Sequence, residues 1–280
     1  IAVLACFAGA LLCVYRALAC VTDEIRARQG ALLVLAAPSV VDFACTSMDA
    51  VFLLFASAAW WAAAGVAASL SAPEPVTKTA HFGGPLLVGL ALLVATAFSF
   101  SAIPVGLAIG VAIAIAGRHA WRRALEALAG VGVGYAASAL LLYAATGFSL
   151  WACFAEAQRS NLEFMTAVMG RSPGELYGVV AYGNGAAFLI GAGVGLVSAA
   201  LSGAALRKSA WSAAFALTLV VMTFGGIYFM ETERIWLYAM PWLAAIAVAD
   251  RPFTDGSLRL LLALGCAQTL AMETTLFTLW

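Results

Sequence analysis

The chain has 280 residues, of which 64% are hydrophobic and 10% are charged, and its formal net charge is zero. Soluble domains carry about 25% charged residues, so this composition excludes an ordinary soluble protein. It predicts an all-α, polytopic membrane bundle whose partners include the lipid bilayer and no nucleic acid; it leaves the oligomeric state open. The sequence opens at Ile1 inside an apolar run. We therefore expect residues 1–280 to be a single transmembrane domain from a larger membrane protein.

A membrane-spanning helix needs about 20 apolar residues, and ten apolar segments follow one another along the chain. Several of them are short, at about 15 residues, and the pattern lacks the alternation of a membrane β-barrel. The segments are Ile1–Val21, Ala31–Cys45, Ala50–Leu70, Pro85–Phe100, Ile103–Gly117, Ala124–Gly147, Val179–Gly203, Trp211–Met230, Ile235–Ala249 and Leu258–Trp280.

Lysine and arginine are enriched on the cytoplasmic side of membrane proteins. When successive loops are assigned alternately to the two sides, 11 of the 14 basic residues fall on one side. We predict this side to be cytoplasmic and the membrane to be a bacterial inner membrane. The outer side then holds the remaining basic residues, Arg159, Arg171 and Arg234.

The outer segment 148–178 is the longest stretch between predicted membrane helices. Its apolar residues recur at helical spacing with charged residues between them, which is typical of an amphipathic helix. We expect this helix to lie along the outer interface and to be broken at Pro173 and Gly174; a passive interfacial helix is the alternative. Its apolar positions are Leu150, Phe154, Ala157, Leu162, Met165 and Met169, and its charged positions are Glu156, Arg159 and Glu163.

Small and aromatic residues predict packing and anchoring rather than ligand binding. Glycines in two segments favour close contact between helices, at Gly130, Gly132, Gly134, Gly185, Gly191, Gly193 and Gly195. The tryptophans are expected to include anchors at the membrane interface, among Trp60, Trp61, Trp211, Trp236 and Trp242.

The stretch Tyr228–Trp242 carries Glu231, Glu233 and Arg234 between two strongly apolar runs. Glu231 and Arg234 are three residues apart, so on a helix they share a face and can pair. One interpretation is a polar cap where two helices turn around. The other is an anion or substrate site, because an arginine at a membrane interface suits a phosphate group.

Other polar residues on the predicted outer side are candidates for the same site. Asp49 begins a predicted helix that Ser47 or Thr46 could cap; it is either a helix-start carboxylate or an acid facing Glu231 and Arg234. Glu273 is the best intramembrane candidate, and its plain interpretation is a carboxyl paired within the bundle. The remaining candidates are Asp42, Glu156, Arg159 and Asn184.

The sequence lacks the common motifs of soluble enzymes. It has two histidines, His81 and His119, and no HExxH, paired CxxC or Walker A pattern; the one GxSxG spacing, GRSPG at Gly170–Gly174, follows no predicted strand. Metal, serine-hydrolase and ATP-driven chemistry are therefore not expected. We predict no cofactor, and nothing in the sequence supports a divalent metal.

Four stretches together resemble the GT-C superfamily of bacterial multi-pass glycosyltransferases, relatives of the mannosyl- and arabinosyltransferases that use polyprenyl-phosphate sugars. The most specific is GIYFMETERIWLYAMPW. The stretches span 37–55, 146–161 with 182–193, 226–242 and 266–280.

The resemblance implies sugar transfer at the outer face from a polyprenyl-phosphate donor. It implies catalytic roles for Asp49 and Glu231, and donor-phosphate binding by Arg234 and Arg159. The family's principal acid lies in the first outer loop, which has no counterpart with paired acids in residues 1–280, so we expect that acid to lie upstream of Ile1 or to be absent.

Two other functions stay open. A transporter or permease would need ionisable residues near the middle of the membrane and internal repeats, and no clear repeat is present. A non-catalytic membrane scaffold is favoured if no upstream acid exists.

Overall fold

The structure, a computed structural model, describes residues 1–44, 47–71, 78–170, 172–202, 210–224 and 236–275. Every regular element in these ranges is helical, as the predicted all-α fold requires. The same ranges include a π-helical turn at Val40–Ala44 and 3₁₀ turns at Arg118–Ala120 and Trp236–Tyr238. The described α-helices are α1 (Ala2–Val21), α2 (Glu24–Leu35), α3 (Asp49–Ser71), α4 (Lys78–Phe98), α5 (Ala102–Ala116), α6 (Trp121–Thr146), α7 (Leu150–Met169), α8 (Pro173–Ser202), α9 (Ala210–Phe224), α10 (Ala239–Ala247) and α11 (Asp255–Thr275).

Each of the ten predicted segments overlaps a helix, but the helices differ in length. α5 and α9 have 15 residues each, which is about 22 Å of helix against a hydrocarbon core of about 30 Å. The number of membrane crossings therefore stays a prediction. Within the described ranges, four helices are long and apolar enough to cross a membrane: Ala2–Val21, Asp49–Ser71, Arg118–Thr146 and Pro173–Ser202.

The second predicted segment, Ala31–Cys45, is wrong in its start and its continuity. α2 begins earlier, at Glu24, because the Asp23 carboxylate accepts hydrogen bonds from the backbone N–H of Arg26 at 2.9 Å and from its Nε at 2.8 Å. The first of these bonds is the main reason that the pKa of Asp23 lies below its ordinary value. α2 then ends before Pro38, since proline disfavours helical backbone in the residue that precedes it.

Helices α4 and α6 pack backbone against backbone through glycine, as the small residues of α6 predict. A Cβ atom on Gly134 would lie 2.6 Å from the Leu86 carbonyl oxygen, and one on Gly89 would lie 2.3 Å from the Val131 carbonyl oxygen. A Cβ atom on Gly132, by contrast, would meet no atom of a neighbouring helix within 4 Å. Close approach of the two helices therefore requires glycine at position 134 and not at position 132.

Tryptophans that we expected to include interface anchors form part of the core instead. Trp60 of α3 and Trp211 of α9 both contact Trp242 of α10, with ring centroids 5.7 and 5.2 Å apart. Trp236 is also buried, whereas Trp61 is exposed. The four buried rings fill the meeting point of these helices with their large apolar area, and the exposed Trp61 is the one of the five that keeps the anchor prediction.

Helix α7 has the predicted amphipathic pattern but ends at a different residue. Met165 is buried, and Leu150, Phe154 and Leu162 are half-buried. The helix stops at Gly170, whose φ of 59° is a left-handed cap that favours glycine. α7 is separate from the next helix at this point, as predicted, and Pro173 with Gly174 starts α8. Proline is favoured in the first helical turn because no N–H has to be satisfied there.

The α4–α6 contact can be tested with a matched pair of variants. Gly134→Ala should lower the free energy of unfolding by about 1–3 kcal/mol, the usual effect of overpacking, because the new methyl group would collide with the Leu86 backbone. Gly132→Ala should raise it by up to about 1 kcal/mol, since alanine favours a helix over glycine. Thermal unfolding of both variants in one detergent, followed by circular dichroism, measures the difference; equal effects would contradict the packing.

Candidate functional site

Asp42 is a carboxyl group inside the apolar core. It lies on the π-helical turn, where it is 7% exposed, beside Val40 at 0% and Phe43 at 4%. Burying a carboxyl group is costly unless another polar group satisfies it. The fold therefore has to supply a partner for Asp42.

Glu273 of α11, an exposed residue, brings its carboxyl group within side-chain hydrogen-bonding reach of Asp42. An ionised carboxylate has only acceptor oxygens, so a hydrogen bond between two carboxyl groups requires a proton on one of them. The pair can therefore share a proton. Asp42 and Glu273 were singled out separately from the sequence, and the structure brings them together.

Close backbone contacts at two glycines set the position of α11, and therefore the place of Glu273. A Cβ atom on Gly265 would lie 2.4 Å from the Ala36 carbonyl oxygen at the end of α2. A Cβ atom on Gly195 of α8 would lie 2.2 Å from the Leu261 carbonyl oxygen of α11. The three helices thus approach one another at backbone distance just before the carboxyl pair.

A break in α8 lies beside this junction, and the sequence interpretation missed it. Gly193 has φ 80° and ψ 152°, which is not a helical conformation. Gln268 of α11 donates to the Ile190 carbonyl oxygen at 2.8 Å and accepts from the Val194 N–H at 2.7 Å. We predicted packing contacts for Gly193, not a change of backbone direction. The sequence signal was an amide, Gln268, inside an apolar helix.

Asp49 is half-buried at the first position of α3. The Ser47 hydroxyl lies 2.6 Å from Asp49 Oδ2 and accepts from the Asp49 N–H at 3.1 Å. It also lies 2.7 Å from the Phe43 carbonyl oxygen. Ser47 thus caps the start of α3, as one of the two predicted caps, and holds the Asp49 carboxylate at the helix end. A catalytic role for Asp49 stays a prediction.

Arg159 is engaged in ion pairs along the exposed face of α7. Its guanidinium lies 2.6 Å from Glu156 Oε1 and 3.0 Å from Glu163 Oε1. The hydrogen bond between Arg159 and Glu156 lowers the pKa of the carboxyl group and raises that of the guanidinium. Exposed pairs of this kind contribute little to stability; Arg159 is exposed, and two carboxylates already share its positive charge.

Of the other candidates, Asn184 lies in α8, and the charged residues of the later outer turn lie outside the described residues. Asn184 is buried in the N-terminal half of α8 at 4% exposure. Glu231, Glu233 and Arg234 lie outside the described residues, so their predicted meeting with Asp49 is untested. Within the described ranges, no group of three or more His, Cys, Asp or Glu side chains is placed to hold a metal ion.

An aromatic groove lies between the end of α4, the start of α5, the C-terminal half of α6 and the start of α7. Its volume is about 410 Å³, within the range of small-molecule sites. Phe100 and Phe154 meet across it with ring centroids 5.1 Å apart. Most of its lining is apolar, including Tyr135, Tyr143 and Trp151. The groove therefore suits a hydrophobic chain rather than a charged group.

The carboxyl pair can be tested by infrared spectroscopy. At about pH 5.5, more than one unit above the ordinary pKa values of Asp and Glu, about 3.9 and 4.3, wild-type protein should retain the carbonyl band of a protonated carboxyl group. Asp42→Asn and Glu273→Gln should each remove that band, because an amide can donate to the remaining carboxylate without a shared proton.

Glu163→Gln is the matched control, since it removes a carboxyl group paired with Arg159 on the surface of α7, and it should leave the band unchanged. A band that survives both Asp42→Asn and Glu273→Gln would show that the pair does not hold the proton.

The described polar residues thus offer a carboxyl pair at Asp42 and Glu273, a capped carboxylate at Asp49 and an exposed, ion-paired arginine at position 159. Together with an apolar groove, this set can support proton transfer and anion binding next to a hydrophobic ligand. Comparison of the chain with protein-family models, with curated proteins and with solved structures finds no match.

Proposed function

We propose that this chain is part of a multi-pass glycosyltransferase, with about ten crossings of a bacterial inner membrane. It transfers a sugar from a polyprenyl-phosphate donor at the extracytoplasmic face. The observation that carries the proposal is the aromatic groove of about 410 Å³ beside α7. An isoprenoid chain is long and apolar, and an apolar groove of this kind can bury part of the surface of that chain.

Helix α7 supports the same assignment, because it is an amphipathic helix next to the groove. Its start, at Ser149 and Leu150, lines the groove, and its exposed face carries Arg159, Glu156 and Glu163. A helix of this type lies in the plane of a membrane interface. A lipid-linked donor would then have its chain in the groove and its phosphate at the level of the charged residues.

The transfer step needs a base and a cation. In the proposed step an acceptor hydroxyl oxygen forms a bond to the anomeric carbon of the sugar, while the bond from that carbon to the phosphate oxygen breaks. The hydroxyl proton passes to a carboxylate, for which Asp49 and Glu231 are the candidates. Arg234, with Arg159, stabilises the charge on the departing polyprenyl phosphate.

A proton-coupled permease is the second candidate function, and two observations favour it. Carboxyl groups placed close together serve as proton relays in transporters, and the buried Asp42 lies beside the carboxyl group of Glu273. Broken helices form many transporter binding sites, and α8 is broken at Gly193. Transfer activity that is absent in folded, full-length protein would favour this function over the first.

The role of Asp49 can be separated from that of its cap. Asp49→Asn should lower the transfer rate by about 10²–10⁴-fold, the usual contribution of a general base, without loss of membrane insertion. Ser47→Ala is the matched control, because it removes the cap and leaves the carboxylate. The measurement is transfer from radiolabelled polyprenyl-phosphate sugars in membranes holding the full-length gene product. Equal losses of the transfer rate in both variants would show that Asp49 has a structural role and not a catalytic one.

The affinity for the donor should depend differently on Arg234 and on Arg159. Arg234→Gln should weaken binding of a polyprenyl-phosphate sugar by about 10–100-fold, because a hydrogen bond to a charged group contributes about 1.5–3 kcal/mol. Arg159→Gln should weaken it less, since Glu156 and Glu163 already neutralise that guanidinium. Equilibrium binding of a labelled donor to purified protein gives both values. Unchanged affinity in a folded Arg234→Gln variant would exclude that residue from the phosphate site.

A further inference from the structure

One side-chain amide replaces one missing hydrogen bond of a helix. In a continuous α8, the Val194 N–H would donate to the Ile190 carbonyl oxygen. Instead, Gln268 Oε1 accepts from the Val194 N–H at 2.7 Å, and Gln268 Nε2 donates to the Ile190 oxygen at 2.8 Å. A primary amide offers a donor and an acceptor side by side, so Gln268 bridges the two groups that the break separates.

Gly193 and Pro38 also contribute to the break in α8. The φ of 80° and ψ of 152° at Gly193 belong to a region that only glycine adopts readily. A Cβ atom there would lie 2.6 Å from Pro38 Cδ and 3.4 Å from Gln268 Oε1. Glycine can also adopt helical angles, so residue 193 is compatible with both a broken and a continuous helix.

The two halves of α8 are attached to different neighbours. The C-terminal half packs on α11, where Gly195 meets the Leu261 carbonyl oxygen. The N-terminal half follows α7 directly, and Tyr177 donates a hydrogen bond to the Phe224 carbonyl oxygen of α9. Phe188 of this half packs on Trp236, with ring centroids 5.4 Å apart. The break therefore separates two packing units.

We propose that α8 is a two-state helix, in which insertion of the Gln268 amide holds the break open and its withdrawal lets the helix close. In the closed state the Val194 N–H donates directly to the Ile190 carbonyl oxygen, so both backbone groups stay satisfied in either state. An exchange that leaves no orphan backbone group avoids the main cost of breaking a buried helix. Closing reorients the N-terminal half of α8, and α7 with it, relative to α11.

This motion would control access to the groove, because the start of α7 forms one of its walls. The hinge follows from the geometry of the break alone. It does not depend on the proposed transfer reaction, and its test measures distances, not activity. Failure of the hinge and failure of the proposed function are therefore separate outcomes.

The test is a distance measurement by pulsed electron spin resonance on detergent-purified, cysteine-free protein. One pair of spin labels joins the N-terminal half of α8 to α11, at the exposed positions Tyr182 and Leu260. A control pair joins the C-terminal half of α8 to α11, at Leu201 and Leu270, which are also exposed. Each pair is measured with the native residues and in variants of the break.

Two variants reach the closed state by different routes. Gln268→Met keeps a flexible side chain of similar length but cannot bridge the Val194 N–H and the Ile190 carbonyl. Gly193→Ala disfavours the left-handed backbone and collides with Pro38 in the open state. Both should move the main distance between positions 182 and 260 outside the width of the wild-type peak, and both should leave the distance between positions 201 and 270 unchanged.

Thr274→Val is the matched control variant, because the Thr274 hydroxyl donates to the Leu270 and Ala271 carbonyl oxygens of its own helix and lies away from the break; it should change neither distance. Circular dichroism checks that each variant is folded, and since the two routes are independent, one unfolded variant leaves the other informative. Unchanged distances in a folded variant would mean that the break is a fixed kink. Equal shifts in both label pairs would indicate general loosening and would equally overturn the proposal.

Discussion

The described structure depends on the backbone-level approach of α11 to two other helices. Gly265 meets the end of α2 at the Ala36 carbonyl oxygen, and Gly195 of α8 meets α11 at the Leu261 carbonyl oxygen. Any side chain at either glycine would push the helices apart. Because a helix is stiff, these two contacts fix where every later residue of α11 lies. They place Gln268 against α8 and Glu273 against the π-helical turn.

The two polar contacts of α11 solve the same physical problem. Leaving a buried polar group without a partner costs more free energy than one hydrogen bond contributes. Asp42 therefore needs Glu273, and the Val194 N–H and Ile190 carbonyl groups at the break in α8 need Gln268. The partners differ in what can change them. A carboxyl group is a donor only when it is protonated, whereas the amide of Gln268 always has both donors and an acceptor. One helix therefore carries a contact between carboxyl groups and a contact made by a neutral amide, less than two turns apart.

Hydropathy predicted where the helices are, because each apolar segment must bury or shield its side chains whatever its partners. It did not predict the start of α2, which a single carboxylate at Asp23 sets, or the burial of Trp60 and Trp242, which depends on neighbours far away in sequence. The amphipathic helix α7 was predictable from spacing alone. The pairing of Asp42 with Glu273 was not, because it requires the register of α11 against α2. Glycine spacing indicated close packing at Gly134 but gave no sign that Gly193 leaves the helix.

The two candidate functions place different demands on these features. Sugar transfer uses the groove and the outer charged residues, and it needs no proton within the bundle. A permease uses the carboxyl pair and the broken helix, and it needs no aromatic groove. α8 links the two regions, since its N-terminal half continues from α7 at the groove and its break contacts α11 near the carboxyl pair. A two-state α8 would therefore couple the region of the carboxyl pair to the shape of the groove, because α11 contributes both Gln268 and Glu273.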